Sequence, residues 1–320
     1  MKTGYFSSPQ FLLHQNGADH PERPERLESL EKVLKITGTW EKLVHFGDFP
    51  EASEDDLALC HTRAHIERVK QLAQNGGGNL DGDTGVNEHS FRVAKLASGA
   101  AIDAVKRVVA GEIQNAFVAN RPCGHHAESG RRAHSPWGFC LFNHAAIAAR
   151  VAQRDLGIER VAILDFDVHH GNGTQEIFYD DPSVFFASLH QSPLFPGTGA
   201  AEERGAGAGV GTTLNFPLPA SSNGVVYRAV WEKVGVAVRE FRPDLITLSA
   251  GFDAHLGDPL AGMALQSEDF AWLSREAKNW AADLCGGKLV AVLEGGYKLS
   301  SLAESVAFTL ETLLRDDKST

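Results

Sequence analysis

Asp167 and His169 stand two residues apart in the run Asp165-Phe166-Asp167-Val168-His169-His170-Gly171-Asn172-Gly173. On an extended segment that spacing sends both side chains to the same face. A carboxylate and a neutral imidazole are ligands for a borderline divalent ion. A third carboxylate, Asp253 in Gly251-Phe252-Asp253, would complete three protein ligands with an open position, the layout of a catalytic zinc site. Asp165 faces the same way two residues earlier and is placed to orient a histidine from behind. Alone, an Asp-x-His pair reads more simply as a buried hydrogen-bond network, because ionised groups are buried only when paired. The Gly-Phe-Asp run at a second strand end shifts the reading to a metal.

A second group of residues suits proton transfer. His125 and His126 are adjacent, and two such histidines can divide acid–base work, one neutral as base and the other protonated. Each needs a partner to set its tautomer, and Asp165 and Asn172 are the candidates. Tyr297 follows two glycines that allow unusual backbone angles, and its phenol can donate to a developing oxyanion. On its own Tyr297 reads equally well as a core aromatic.

The elements that must carry these residues alternate in kind. Short apolar runs predict strands at 115–120, 160–166, 183–189, 244–249 and 288–293. Longer amphipathic runs predict helices at 24–36, 62–75, 88–110, 140–155, 223–241, 267–284 and 299–314. Such alternation implies βαβ units and a mostly parallel sheet. Ligands of such sheets bind beyond the carboxyl ends of the strands, and four predicted strands end at the four reactive runs. Pro24 suits the first turn of its helix, and Pro243 marks the start of a strand. The glycine-rich stretches 76–78 and 197–211 read as loops. The second lacks the G-x-G-x-x-G spacing of a dinucleotide turn and opens no helix.

Composition allows a large core. The chain has 320 residues, 43% of them hydrophobic, with 32 glycines and no Pro- or Ser-rich linker, so one domain over 1–320 is expected. A net charge of −11 argues against a nucleic-acid partner, whose phosphates demand a basic footprint. No run reaches the ~20 apolar residues of a membrane span, and the first residues form no secretory signal. The four cysteines, Cys60, Cys123, Cys140 and Cys285, form no C-x-x-C pair and read as reduced thiols of a cytoplasmic protein.

R-P-C-G-H-H-A (121–127), D-F-D-V-H-H-G-N-G-T (165–174), L-F-P-G-T-G (194–199), S-A-G-F-D-A-H (249–255) and E-G-G-Y (294–297) occur in this order. Together with H-P-E-R-P-E-R-L (20–27), they resemble the zinc-dependent histone deacetylases and bacterial histone-deacetylase-like amidohydrolases, with acetylpolyamine amidohydrolases as relatives. The resemblance covers almost the whole chain. It implies a single α/β domain, three-layered, around a central mostly parallel sheet of about eight strands. It assigns zinc to Asp167, His169 and Asp253, the acid–base pair to His125 and His126 backed by Asp165 and Asn172, and a carbonyl-polarising hydroxyl to Tyr297.

The same resemblance makes Phe139 and Phe195 the walls of a tunnel, although the residues alone read as core. It gives the Gly138 carbonyl the substrate amide N–H, places Leu260 at the mouth, and aligns Asp83 with a contact to the substrate backbone. It also implies potassium beside the zinc, at Asp165, Asp167, His169, Ser188 and Leu189. Asn172 and Tyr297 resemble a class II-type member that keeps its tyrosine. Leu260 replaces the acidic gatekeeper of the polyamine-preferring branch, and Cys123 stands where proline is commoner. The implied activity is removal of an acyl group from N-acylated lysine in a peptide or protein, or from an acylated small amine. A chemically weak acyl-lysine binding module and an arginase-like two-manganese hydrolase are the other readings. Specificity is expected from rim loops at 7–19, 75–87 and 192–211, since loops tolerate change.

Overall fold

The computed structural model describes residues 2–132 and 135–315. In chain order the elements are β1 (Thr3–Phe6), α1 (Glu25–Ile36), β2 (Val44–Phe46), α2 (Glu54–Leu57), α3 (Arg63–Gln74), β3 (Gly77–Asn79), β4 (Gly85–Asn87), α4 (Ser90–Val109) and β5 (Asn115–Val118). The second half continues with α5 (His144–Asp155), β6 (Val161–Asp165), α6 (Asn172–Phe178), β7 (Val184–Gln191), β8 (Thr213–Leu218), α7 (Gly224–Phe241), β9 (Leu245–Ala250), α8 (Ser267–Cys285), β10 (Leu289–Leu293) and α9 (Leu299–Leu314).

Eight strands form one sheet in the order β2-β1-β5-β10-β9-β6-β7-β8. Every neighbouring pair in it is parallel. Parallel strands are covered on both faces, which is why Leu-Val-Ala-Val-Leu of β10 and Val-Ala-Ile-Leu of β6 are apolar without alternation. Helices α4 and α5 pack together over one face, while α1, α9, α8 and α7 form a continuous file over the other. The expected three-layer, eight-stranded α/β domain is present.

All five predicted strands and all seven predicted helices form, with shifts at their ends. Asn143 accepts from Ala146 N–H at 3.0 Å, so this N-cap starts α5 at His144, later than the expected 140. Pro24 precedes α1 as its cap residue instead of lying in the first turn. β1 and β2, four and three residues long, were not expected from the sequence. β8 was hidden by Pro217, which a sheet tolerates here because β8 is an edge strand. The glycines at 76–78, expected as a loop, instead open a small antiparallel hairpin in which Gly77 pairs with Asn87. Residues 197–211 remain irregular except for one 3-10 turn at Gly207–Gly209.

The strand order explains how distant motifs meet. β5, β10, β9 and β6 are consecutive in the sheet, and all four point the same way. Their carboxyl ends run into 121–127, 294–297, 251–253 and 165–173. The sheet therefore delivers four chain segments to one rim.

Candidate metal centre and its cavity

Asp167, His169 and Asp253 are buried together, and their donor atoms all lie within 4.8 Å of one another. His169 Nδ1 stands 3.2 Å from Asp167 Oδ1 and 3.1 Å from Asp253 Oδ2. Tetrahedral coordination with bonds of ~2.0–2.1 Å separates ligands by about 3.3 Å, so the set fits a zinc-sized ion. The outward oxygens are held by backbone: Gly295 N–H donates to Asp167 Oδ2 at 2.8 Å, and Val168 N–H donates to Asp253 Oδ1 at 2.9 Å. Burial, with Asp167 adding its charge, pushes Asp253 up to about 7. Two carboxylates this close and dry need a shared proton or a cation.

Two glycines make the approach possible. A Cβ on Gly251 would meet Asp167 Oδ2 at 1.9 Å, and one on Gly295 would meet Asp253 Oδ2 at 2.1 Å. Gly295 is therefore there for room, whereas Gly296, at φ +118°, supplies the unusual backbone angle expected before Tyr297.

Each histidine of the pair has its expected partner. His125 Nδ1 donates to Asp165 Oδ2 at 2.8 Å. Burial opposes protonation of His125, but Asp165 and Asp167 outweigh it and hold its pKa well above the usual value. His126 Nδ1 lies 2.7 Å from Asn172 Oδ1. Asn172 Nδ2 donates to Glu128 Oε1 at 3.0 Å, which fixes the amide so that Oδ1 must accept. His126 thus carries its proton on Nδ1 and leaves Nε2 as the basic nitrogen. Burial, then His125 and His169, push the pKa of His126 well below the usual value.

His126, His169 and Tyr297 line a cavity of about 220 Å³ with Asp83, Gly138, Phe139, Leu194, Phe195 and Leu260. Every substrate-contact position expected from the resemblance reaches this cavity. Phe139 meets Tyr297 edge-on at 5.8 Å, and Phe195 meets His126 edge-on at 5.1 Å. Phe139 has φ 69°, a left-handed angle that costs a bulky residue strain. The hairpin side holds that turn: Phe139 N–H donates to Thr84 Oγ1 at 3.0 Å and Trp137 N–H to Asp81 Oδ2 at 2.9 Å. Burial raises the Tyr297 phenol well above its usual pKa, so it stays a donor. Of the positions expected to hold potassium, Asp165 and Ser188 are register partners across β6 and β7 and Leu189 follows. All five are buried.

Several supporting residues had no role assigned from the sequence, although His170, Glu294 and Arg26 lie inside the quoted motifs. Both ring nitrogens of His170 are engaged, bridging Thr198 Oγ1 at 2.8 Å and Gln175 Oε1 at 3.0 Å and tying the Phe195 loop to α6. Asp258 Oδ2 accepts Tyr297 N–H at 2.7 Å. Glu294 Oε2 accepts from Gly124 and His125 N–H at 2.6 and 3.0 Å, fixing the histidine turn. Arg26 donates through Nε to Gly296 O at 2.8 Å and through Nη2 to Glu294 O, bracing the Tyr297 segment from α1.

Arg26 and Arg121 are both buried and both pair with buried Glu22, at 3.2 and 2.5 Å. Burial would raise Glu22, but Arg121, His14 and Arg26 hold it down at about 2. Glu22 therefore contributes stability that is present above its unfolded pKa of ~4.3 and is lost as pH falls toward 2. Glu22→Gln strands two buried guanidinium groups and is expected to cost about 3–5 kcal/mol in denaturant unfolding at neutral pH. A cost below 1 kcal/mol would show that the ion triad does not hold this corner.

The histone deacetylase domain model matches residues 20–313. Rice histone deacetylase 10, named as chloroplastic, is 41% identical over 327 residues, covering 97% of this chain and 72% of the relative. The histone deacetylase-like amidohydrolase of Pseudomonas aeruginosa is 41% identical over 282 residues, covering 88% and 73%. The solved HDA15 HD domain superposes with a TM-score of 0.90 at 36% identity, covering 98% of this chain and 89% of that one. Among the described residues no helix is long and apolar enough to cross a membrane. With its fold and its sequence both matching, the chain belongs to the histone deacetylase family.

Proposed function

We propose that this chain, as one catalytic domain over 1–320, is a zinc-dependent hydrolase that removes acetyl or other acyl groups from N-acylated lysine. The observation that carries the reading is the meeting of the Asp167–His169–Asp253 set, a base-ready His126 and Tyr297 around one aromatic-walled cavity. The names of the rice and Pseudomonas relatives support the reaction class. Zinc held by Asp167, His169 and Asp253 would polarise the acyl carbonyl and lower the pKa of water toward ~7. Potassium beside it, at Asp165, Asp167, His169, Ser188 and Leu189, belongs to the same reading.

His126 Nε2 takes a proton as water attacks the amide carbon. Tyr297 donates its hydroxyl to the oxygen that becomes negative. The histidine pair then returns a proton to the departing amine, which would otherwise leave as an anion. Phe139, Phe195 and Leu260 desolvate the lysine methylenes at ~0.8 kcal/mol each, the Gly138 carbonyl accepts the substrate amide N–H, and Asp83 meets the substrate backbone at the mouth. An uncharged acyl-lysine suits this wall and the free ammonium product does not, which favours product exit. Four free cysteines fit a reducing compartment, the cytoplasm in this reading.

A panel of acyl-lysine peptides and acetylated polyamines, run with and without chelator, tests the assignment. Chelator-sensitive turnover of the peptides is expected. Turnover of polyamines alone would reassign the substrate to small amines, and no turnover of either by the zinc-loaded protein would leave an acyl-lysine binding module.

The fixed tautomer of His126 makes the activity pH-dependent. His126 must be unprotonated to accept, and its pKa lies well below 6.5. Asn172→Asp, with Glu128→Gln to remove the opposing carboxylate, places a negative charge on His126 Nδ1 and favours the imidazolium. The acid limb of kcat/KM is expected to move up by about 1–3 pH units. An unmoved limb would assign the base elsewhere.

A further inference from the structure

Behind the histidine turn, two thiols and a carboxylate face each other, and the proposed reaction uses none of them. Cys123 Sγ and Cys140 Sγ stand 3.3 Å apart, and both residues are buried. Glu294 joins them: the three donor atoms lie within 4.8 Å of one another. The oxygens of Glu294 are unequally used. Oε2 holds the Gly124 and His125 amides, while Oε1 is buried with no hydrogen-bond partner among the described residues. A stranded carboxylate oxygen of this kind calls for a proton or a cation. Arg26 touches only the backbone carbonyl of Glu294, and Glu22 already engages its charge.

We propose that Cys123, Cys140 and Glu294 form a second cation site, selective for a thiophilic ion such as Cd²⁺, Cu⁺ or excess Zn²⁺ and distinct from the Asp167–His169–Asp253 set. Thiolates select soft ions, and a carboxylate can complete three-ligand binding. Bonds of ~2.3 Å to sulfur put tetrahedral partners about 3.8 Å apart, so the sulfurs must separate slightly from 3.3 Å. Two metal–sulfur bonds and one metal–oxygen bond form, each thiol releases one proton to solvent, and no oxidation state changes. Oε1 is free to bind without giving up the amides held by Oε2. A disulfide would use the same two sulfurs but would leave Glu294 Oε1 stranded, so the geometry favours the cation.

Occupancy would reach the cavity through Gly138. Both thiols lie against its carbonyl, Cys140 Sγ at 3.4 Å and Cys123 Sγ at 3.7 Å. Loss of both S–H protons frees that carbonyl at the wall beside Phe139.

The test is titration of the full-length, zinc-loaded protein with Cd²⁺ under anaerobic conditions, reading the ultraviolet thiolate-to-cadmium charge-transfer band. The readout is independent of deacylase activity, and cadmium entering the Asp167–His169–Asp253 set gives no such band. A band saturating at one equivalent is expected, with affinity falling more than about 100-fold in Cys123→Ser and in Cys140→Ser. No band in the wild-type protein, or a band that survives the double serine variant, overturns the site. Loss of two hydrogens in the intact mass with no cadmium bound assigns the pair to a disulfide instead. Should the serine variants unfold, X-ray absorption of the wild-type cadmium complex decides. Two sulfur neighbours and an oxygen are expected, and a shell of only nitrogen and oxygen contradicts the proposal.

Discussion

His126→Ala is expected to lower kcat/KM for an acyl-lysine peptide by about 10²–10⁴-fold with the zinc content equal to that of the wild type. Glu128 accepts from Asn172 Nδ2 at 3.0 Å and from Ser135 Oγ at 2.7 Å. That locks the Asn172 amide, the amide locks the His126 tautomer, and burial keeps the ring neutral. His125 cannot replace it, because its Nδ1 proton is committed to Asp165 and the pair favours the protonated ring. Steady-state kinetics with metal analysis on the same sample reads the outcome. Activity within tenfold of wild type would show that another group takes the proton.

Tyr297→Phe is expected to reduce kcat by about 10²–10³-fold with KM little changed, the pattern of a donor that matters only as the oxyanion develops. The phenyl ring of the variant keeps the edge-on contact with Phe139 and the Arg26 guanidinium 5.1 Å over its face, so the segment has no reason to move. Asp258 still holds the backbone N–H of residue 297. Near-normal turnover by this variant would remove Tyr297 from the reaction, whereas a rise in KM alone would make it a binding residue.

The residues that make this site were legible to different depths in the sequence. The Asp-x-His run and the distant Gly-Phe-Asp run could be paired because parallel strands buried on both faces read as unbroken apolar runs whose ends are easy to find. The partners Asp165 and Asn172 were legible because they sit inside the same run as Asp167 and His169. Glu22, Arg26 and Glu294 lie inside the quoted motifs, but their partners were not legible, and Glu128 and Asp258 stood outside every motif. Glu22 meets Arg121 across 99 residues and Arg26 reaches Gly296 across 270, and no local pattern records such pairings. Phe139 and Phe195 looked like core by type. Phe195 is 42% exposed, and only the fold turns it to a cavity. The short strands β1 and β2 and the proline-bearing edge strand β8 were lost for want of length or pattern.

Stripping the protein with chelator and restoring one equivalent of zinc, beside an Asp253→Ala variant treated alike, shows whether a single bound ion drives the hydrolysis. The wild-type chain is expected to retain one tightly held zinc and to regain acyl-lysine hydrolysis in step with it, while the variant regains neither. Full hydrolysis by the metal-free chain, or by Asp253→Ala, would contradict the account.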